Sequence, residues 1–290
     1  MHAPIPCPPR EPVQYALVFS LGYDCNASLA LRRAGLQFNS YPFDWTTRAP
    51  LRARAAALAS GFANWLAPAG LSDCGEASFD RFSVRHRVVV DQGTGLEFRH
   101  DFPLELSLEE GLPAVAAKYA RRTGRLLSAL RSSGRVLAVF TAGFRHESLP
   151  MAELEEAYDI LSSAFGDRID LLGVCDDHPD SAHAPVWTSS RGGRVLRASI
   201  AFGFHSAQGF EVQDRALARF LGGFLKVPDP RTAAEKRAHK ALERSRRFAK
   251  YHARNWPELL VNQFLFRMHR KLTKKLQKKG ILPPNEQSRP

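Results

Sequence analysis

The stretch Gln14-Tyr15-Ala16-Leu17-Val18-Phe19-Ser20-Leu21-Gly22-Tyr23-Asp24-Cys25 decides the fold. Its first eight residues form an apolar run of strand length, far short of a membrane span. Gly22 breaks the run. Asp24, followed by Leu29, Ala30, Leu31 and Ala34, predicts a helix with Asp24 as N-cap, Cys25 as first helical residue and Gly35 as stop. A strand that passes through one glycine directly into a helix is the opening of a βαβ unit.

The same alternation continues outward. A helix is predicted over Leu51–Ser60. Strands are expected at Phe82–Val90 and Leu96–Phe98 around a Gly93-Thr94-Gly95 turn. A long helix should cover Pro113–Ser132. Buried strands follow at Arg135–Thr141, Ile169–Val174 and Val195–Ile200; Ser148 with Pro150 opens a helix carrying Leu154, Ala157, Tyr158, Leu161 and Phe165, and another helix covers Ala207–Phe224. This pattern predicts an α/β fold, a mostly parallel central sheet with flanking helices, plus a basic C-terminal helical appendage.

The 290 residues suffice for one large domain and an appendage. Residues 1–12 read as a disordered, Pro-rich lead without the regions of a secretory signal. Residues 13–228 form the expected body, 229–281 a basic helical extension, and 282–290 a frayed tail. The net charge of +12 is concentrated in that extension: residues 231–279 hold about sixteen Lys and Arg against three Glu, while the first 230 residues are nearly neutral. With Trp256, Phe264 and Phe266 beside the cations, the extension is expected to dock on an anionic membrane surface or a protein partner, with nucleic acid second. The expected location is cytoplasmic, with peripheral contact at an inner membrane face. Cys7, Cys25, Cys74 and Cys175 form no CxxC pair, so neither a disulfide framework nor a zinc site is implied. No cofactor is implied either. His178 and His183 with Asp176, Asp177 and Asp180 read as a solvated loop.

Cys25 is singled out by position. In open parallel sheets ligands gather at the C-terminal strand ends, where this residue falls. A thiol in the first turn of a helix faces unpaired N–H groups and the positive end of the dipole, which favour thiolate and can hold an oxyanion. Asp24 opposes this unless its carboxylate is used in capping.

Three blocks carry a resemblance. Ser20-Leu21-Gly22…Cys25 with Ser40-Tyr41-Pro42-Phe43-Asp44-Trp45, then Phe98-Arg99-His100-Asp101-Phe102, then Lys118-Tyr119…Arg121-Arg122…Arg125 resemble a bacterial family described as putative papain-like cysteine peptidases. The resemblance implies a Cys–His pair with a carboxylate orienting the His. Cys25 matches the nucleophile and His100 the base. Asp44 and Asp101 both stand for the third member, with Asp44 preferred because a residue adjacent to the base points elsewhere along a strand. His205 is a reserve base. A papain-type enzyme has a Gln before its Cys; none stands here, so Gly22 and Tyr23, through the turn, would complete the oxyanion hole. The alternating βαβ pattern also departs from the papain fold.

Other readings stay open. The Pro42–Trp45 run also reads as an aromatic clamp with a capping Asp. Arg121, Arg122 and Arg125 lie at helical spacing and read either as a solvated face or as an anion-binding clamp. The functional classes are therefore a Cys-dependent hydrolase, a non-peptidase α/β enzyme or binding protein for an anionic sugar-phosphate or cell-envelope ligand with Cys25 structural, and a docking scaffold.

Overall fold

The computed structural model describes residues 7–79, 85–142, 149–177, 184–200 and 210–238, together with 240, 241, 244, 271, 275 and 278. The chain divides into two compact units, Met1–Asp229 and Pro230–Pro290. In the second, residues 233–238 are helical and open on a capping box, in which Thr232 and Glu235 satisfy each other's backbone N–H.

In the first unit, β1 (Val13–Gln14) and β2 (Leu17–Ser20) lead into α1 (Cys25–Arg33). A 3-10 turn at Pro42–Asp44 precedes β3 (Thr46–Thr47) and α2 (Leu51–Ala59). Then come β4 (Leu71–Phe79), β5 (Arg85–Asp91), β6 (Leu96–Pro103) and α3 (Leu108–Ser132). The chain continues through β7 (Val136–Thr141), α4 (Met151–Phe165), β8 (Ile169–Cys175), β9 (Val186–Ser190), β10 (Val195–Ser199), α5 (Phe210–Phe224) and β11 (Leu225–Lys226).

β2, β7, β8 and β10 lie side by side in that order and all run parallel; β9 closes the far edge antiparallel to β10. Strands covered on both faces must be apolar throughout, and β7 (VLAVFT) and β8 (IDLLGVC) are buried at every position. On one face Phe19, Ala138 and Leu171 pack against Leu51 and Leu58 of α2, Leu126 and Leu130 of α3, and Leu154 and Leu161 of α4. On the other, Val18, Leu137 and Leu172 meet Ala30 and Leu31 of α1 and Leu217 and Leu221 of α5. The result is a helix–sheet–helix sandwich.

The expectation of a mostly parallel sheet needs correction in one respect. A second sheet, β3-β6-β5-β4, is antiparallel throughout. It has its own core, in which Val89, Phe98 and Phe102 pack against Val115 and Tyr119. Those two residues belong to the N-terminal half of α3, whose C-terminal half covers the parallel sheet. At about 1.5 Å per residue, this 25-residue helix is long enough to serve both.

Candidate active site

The elbow between β2 and α1 is built by three local devices. Beyond the ladder, Leu21 and Tyr23 still donate their amides to Val139 and Thr141 of β7 (2.7 and 3.3 Å). The Ser20 hydroxyl accepts from Gly22 N (2.9 Å). At Gly22 the chain passes so close to α1 that an added Cβ would lie 2.6 Å from the Ala27 Cβ. Asp24 then caps the helix in extended backbone, accepting from Asn26 N at 2.8 Å. Burial pushes the Asp24 carboxyl up. The half-buried Cys25 is the first helical residue, at the C-terminal edge of the parallel sheet. Since the amides of Gly22 and Tyr23 are taken by Ser20 and Thr141, neither is available to an oxyanion.

One turn on, the Ser28 hydroxyl donates between the carbonyls of Cys25 and Asp44 (3.0 and 3.1 Å), which docks the Pro42–Asp44 turn on the Cys25 helix. Asp44 is fully buried. Its carboxylate accepts from Arg32 Nη2 (2.6 Å), from Gln37 Nε2 (2.9 Å to each oxygen) and from Tyr41 N (2.9 Å). Burial pushes this carboxyl up, against the pull of Arg32 and the donors. These donors tie the Ser40–Trp45 loop to α1.

His100 rides on β6. Thr46 pairs with Phe98 and Thr47 with Glu97, which sets β3 beside the part of β6 that precedes His100. Around His100, β6 bulges: Phe98 to Phe102 spans four steps, while the facing Val89 to Arg87 spans two. Bulges re-aim side chains. The His100 ring stands edge-on to that of His86, with centroids 6.3 Å apart.

The neighbouring Asp101 is also engaged. It accepts from Lys118 Nζ and, at 2.7 Å, from Tyr119 O–H. Burial, with Asp101 beside it, holds the Tyr119 phenol well above its ordinary value. The Arg122 guanidinium lies over the Tyr119 ring, 5.0 Å from its centroid, and Arg125 donates to the Ser40 carbonyl (3.0 Å). Arg121 is exposed and donates to Ala117 O of its own helix. Of the three arginines, Arg125 thus staples α3 to the Ser40–Trp45 loop, while Arg122 stacks on Tyr119 of its own helix. These sequence blocks meet around Tyr119.

Three residues of this region escape a sequence reading. His86 lacks any motif. Tyr119 was noticed only as a neighbour of the arginines. Arg54 sits in an Ala-rich helix and reads as solvated, yet it is fully buried beneath the elbow. His205, His178, His183 and Asp180 lie outside the described residues, as do the aromatic residues of the C-terminal extension. Asp177 pairs with Arg197. Burial drives the Cys175 thiol up to about 12, so it is a packed, unreactive residue. Among the described residues no group of three or more His, Cys, Asp or Glu could hold a metal ion, and no helix is long and apolar enough to cross a membrane.

A family model described as putative papain-like cysteine peptidase matches residues 16–167, more than half of the chain. The chain belongs to this family. The matched span takes in the elbow, the whole antiparallel sheet, α3, β7 and α4, and stops before β8. Cys25, in the helix that follows a strand of the parallel sheet, and His100, on the antiparallel sheet, both fall inside that span. An uncharacterized protein of Acanthamoeba polyphaga mimivirus is 25% identical over 191 residues, which cover 60% of this chain and 82% of that relative. No solved structure matches.

Proposed function

We propose that this chain is a cysteine-dependent hydrolase that works by acyl transfer through Cys25, with His100 as the base. The observation that carries the reading is the elbow: a half-buried thiol in the first turn of a helix, at the C-terminal edge of a parallel sheet, with the adjacent carboxylate used as the cap. In this reading the Cys25 thiolate attacks the acyl carbon and the first-turn amides of α1 hold the oxyanion. The leaving group departs with a proton from His100, and water then releases the acyl group and restores the thiol. Family membership supports a peptidase or related acyl-group substrate. The Arg cluster gives limited support to the alternative of an anion-binding protein, because Arg125 is engaged with the Ser40 carbonyl and Arg122 with the Tyr119 ring.

The test is direct. An activated ester such as p-nitrophenyl acetate should acetylate Cys25, seen by intact mass and peptide mapping. Cys25→Ala should abolish the adduct and the associated hydrolysis, and His100→Gln should slow both. Undiminished turnover in Cys25→Ala would remove the proposal. For residues 231–279, the positive surplus supports docking on an anionic surface. Cosedimentation of the full chain with anionic but not with neutral vesicles is the expected outcome.

A further inference from the structure

Burying a guanidinium without need is costly, since an apolar side chain of similar size fills the same space at no charge penalty. Arg54 is such a case: it is fully buried inside an Ala-rich helix. Its fork is held chiefly by backbone carbonyls, those of Tyr23, Thr46, Arg48 and Ala49. Nη2 donates to Tyr23 O at 3.2 Å and to Arg48 O. Nε donates to Arg48 O and Ala49 O at 3.2 and 3.3 Å. Nη1 reaches Thr46 Oγ1 at 3.5 Å. The guanidinium also stands 5.6 Å from the Phe43 ring centroid.

The acceptors are arranged at a cost. Arg48 and Ala49 both have left-handed backbone, with φ of 55° and 62°. Residues with a Cβ seldom adopt that conformation, and here it is adopted twice in succession to aim consecutive carbonyls at one cation. Tyr23 and Asp24 form the elbow, Phe43 belongs to the loop docked on α1, and Thr46 starts the strand that pairs with β6. One side chain therefore joins the turn carrying Cys25 to the strand that leads to His100. Its charge also acts on Asp24, the carboxylate next to the thiol. Burial pulls the Arg54 pKa down to about 9, which leaves the group a cation at neutral pH.

We infer that Arg54 is the positioning residue of the elbow: its fork fixes Tyr23–Asp24 against β3, and its charge offsets Asp24 so that Cys25 works in a field that tolerates negative charge. This inference rests on the reading of Cys25 as the nucleophile and deepens it. It implies that the site admits an anionic attacking or leaving group despite the adjacent carboxylate.

Two alkylating reagents separate charge from structure. Iodoacetate is an anion and iodoacetamide is neutral, and the same thiolate displaces iodide from the methylene carbon of either. The ratio of their rates at Cys25, followed by peptide mass spectrometry on the full chain at neutral pH, reads the local potential. General loosening changes both rates together and leaves the ratio alone. The exposed Cys74 serves as internal control.

Arg54→Met should lower the iodoacetate/iodoacetamide ratio at Cys25 by on the order of three- to ten-fold, the scale of one unit charge a few ångströms away in a partly aqueous site. Adding Asp24→Asn to Arg54→Met should restore the ratio. Arg54→Lys should keep the ratio within about two-fold while lowering both rates, because it keeps the charge and loses the planar fork. An Arg54→Met protein with native near-UV circular dichroism and an unchanged ratio overturns the inference. Should Arg54→Met fail to fold, Asp24→Asn alone decides. Asn retains the cap, so the ratio should rise, and an unchanged ratio again overturns the inference. A Cys25 that alkylates no faster than Cys74 in the unaltered protein would instead count against the nucleophile itself.

Discussion

Gly22→Ala is the sharpest single perturbation of the elbow. An alanine Cβ there would lie 2.6 Å from the Ala27 Cβ and 3.2 Å from the Asp24 carbonyl oxygen. Ordinary carbon–carbon contact begins at about 3.5 Å, so α1 and the turn must separate by roughly 1 Å. Neither obstacle is the tip of a flexible side chain: one is a helix Cβ, the other backbone. Overpacking of this kind costs about 1–3 kcal/mol. For a domain of this size that lowers the melting temperature by roughly 2–4 °C per kcal/mol.

The functional cost should be larger than the stability cost. Cys25 lies in the same first turn, and a 1 Å displacement of a reacting group costs on the order of 10²-fold in rate. Gly173→Ala is the control. Its Cβ would come as close, 2.6 Å from Leu149 Cδ2 and 2.7 Å from Leu154 Cδ1 and Cδ2, but those are movable side-chain ends in the core between β8 and α4. Thermal melts should therefore show a comparable or smaller loss for Gly173→Ala. Acetylation of Cys25 should collapse only in Gly22→Ala. Acetylation within about three-fold of the unaltered protein in a folded Gly22→Ala would refute the claim that this close approach aims the thiol.

Three further outcomes follow from the same contacts. Asp44→Ala strips acceptors from Arg32, Gln37 and Tyr41 N and should cost about 2–4 kcal/mol, whereas Asp73→Ala, whose pair with Arg87 is partly solvated, should cost under about 1 kcal/mol; equal urea midpoints would contradict the clamp. Stability should fall as pH rises above about 9: the buried Cys175 thiol and the Tyr15 and Tyr119 phenols have folded-state values above their unfolded ones, so the folded chain holds protons that the unfolded chain releases. Urea denaturation at pH 7 and pH 10 measures that slope, and a flat profile would count against it. Ser107→Ala removes one arm of the capping box with Glu110 at the start of α3 and should cost about 1 kcal/mol, read as a shift in the thermal midpoint.

The parallel sheet was legible because its strands are short apolar runs set between turn signals. The elbow was legible for the same reason: Gly22, Asp24 and Gly35 each sit where local chemistry requires them, and Gly35 has the positive φ expected of a helix stop. The antiparallel sheet was only half legible. β4 (LSDCGEASF) carries no apolar alternation, and in the other sheet β9 (VWTSS) is a partly exposed edge strand. The start of α3 was misplaced at Pro113; the capping box at Ser107 and Glu110 opens the helix five residues earlier, and Pro113 lies inside its second turn. For the site, the family resemblance singled out Asp44, and only three-dimensional packing reveals that Arg32, Gln37 and Tyr41 N donate to its carboxylate. Arg54 could not be read at all, because a lone arginine among alanines looks solvated until the carbonyls around it are seen.

Leu17 of β2 pairs with Val136 of β7, yet the whole antiparallel sheet, α2 and α3 lie between them in sequence. The sheet that carries His100 is thus a cassette hung inside a single crossover. Each doubling of a connection costs only about 0.6 kcal/mol of closure entropy. The parallel scaffold therefore registers little of the cassette's length, so long as α3 returns the chain to β7. Cys25 is anchored in the parallel frame and His100 in the inserted part, so the length of the connections within the cassette can change without disturbing the register of the parallel strands.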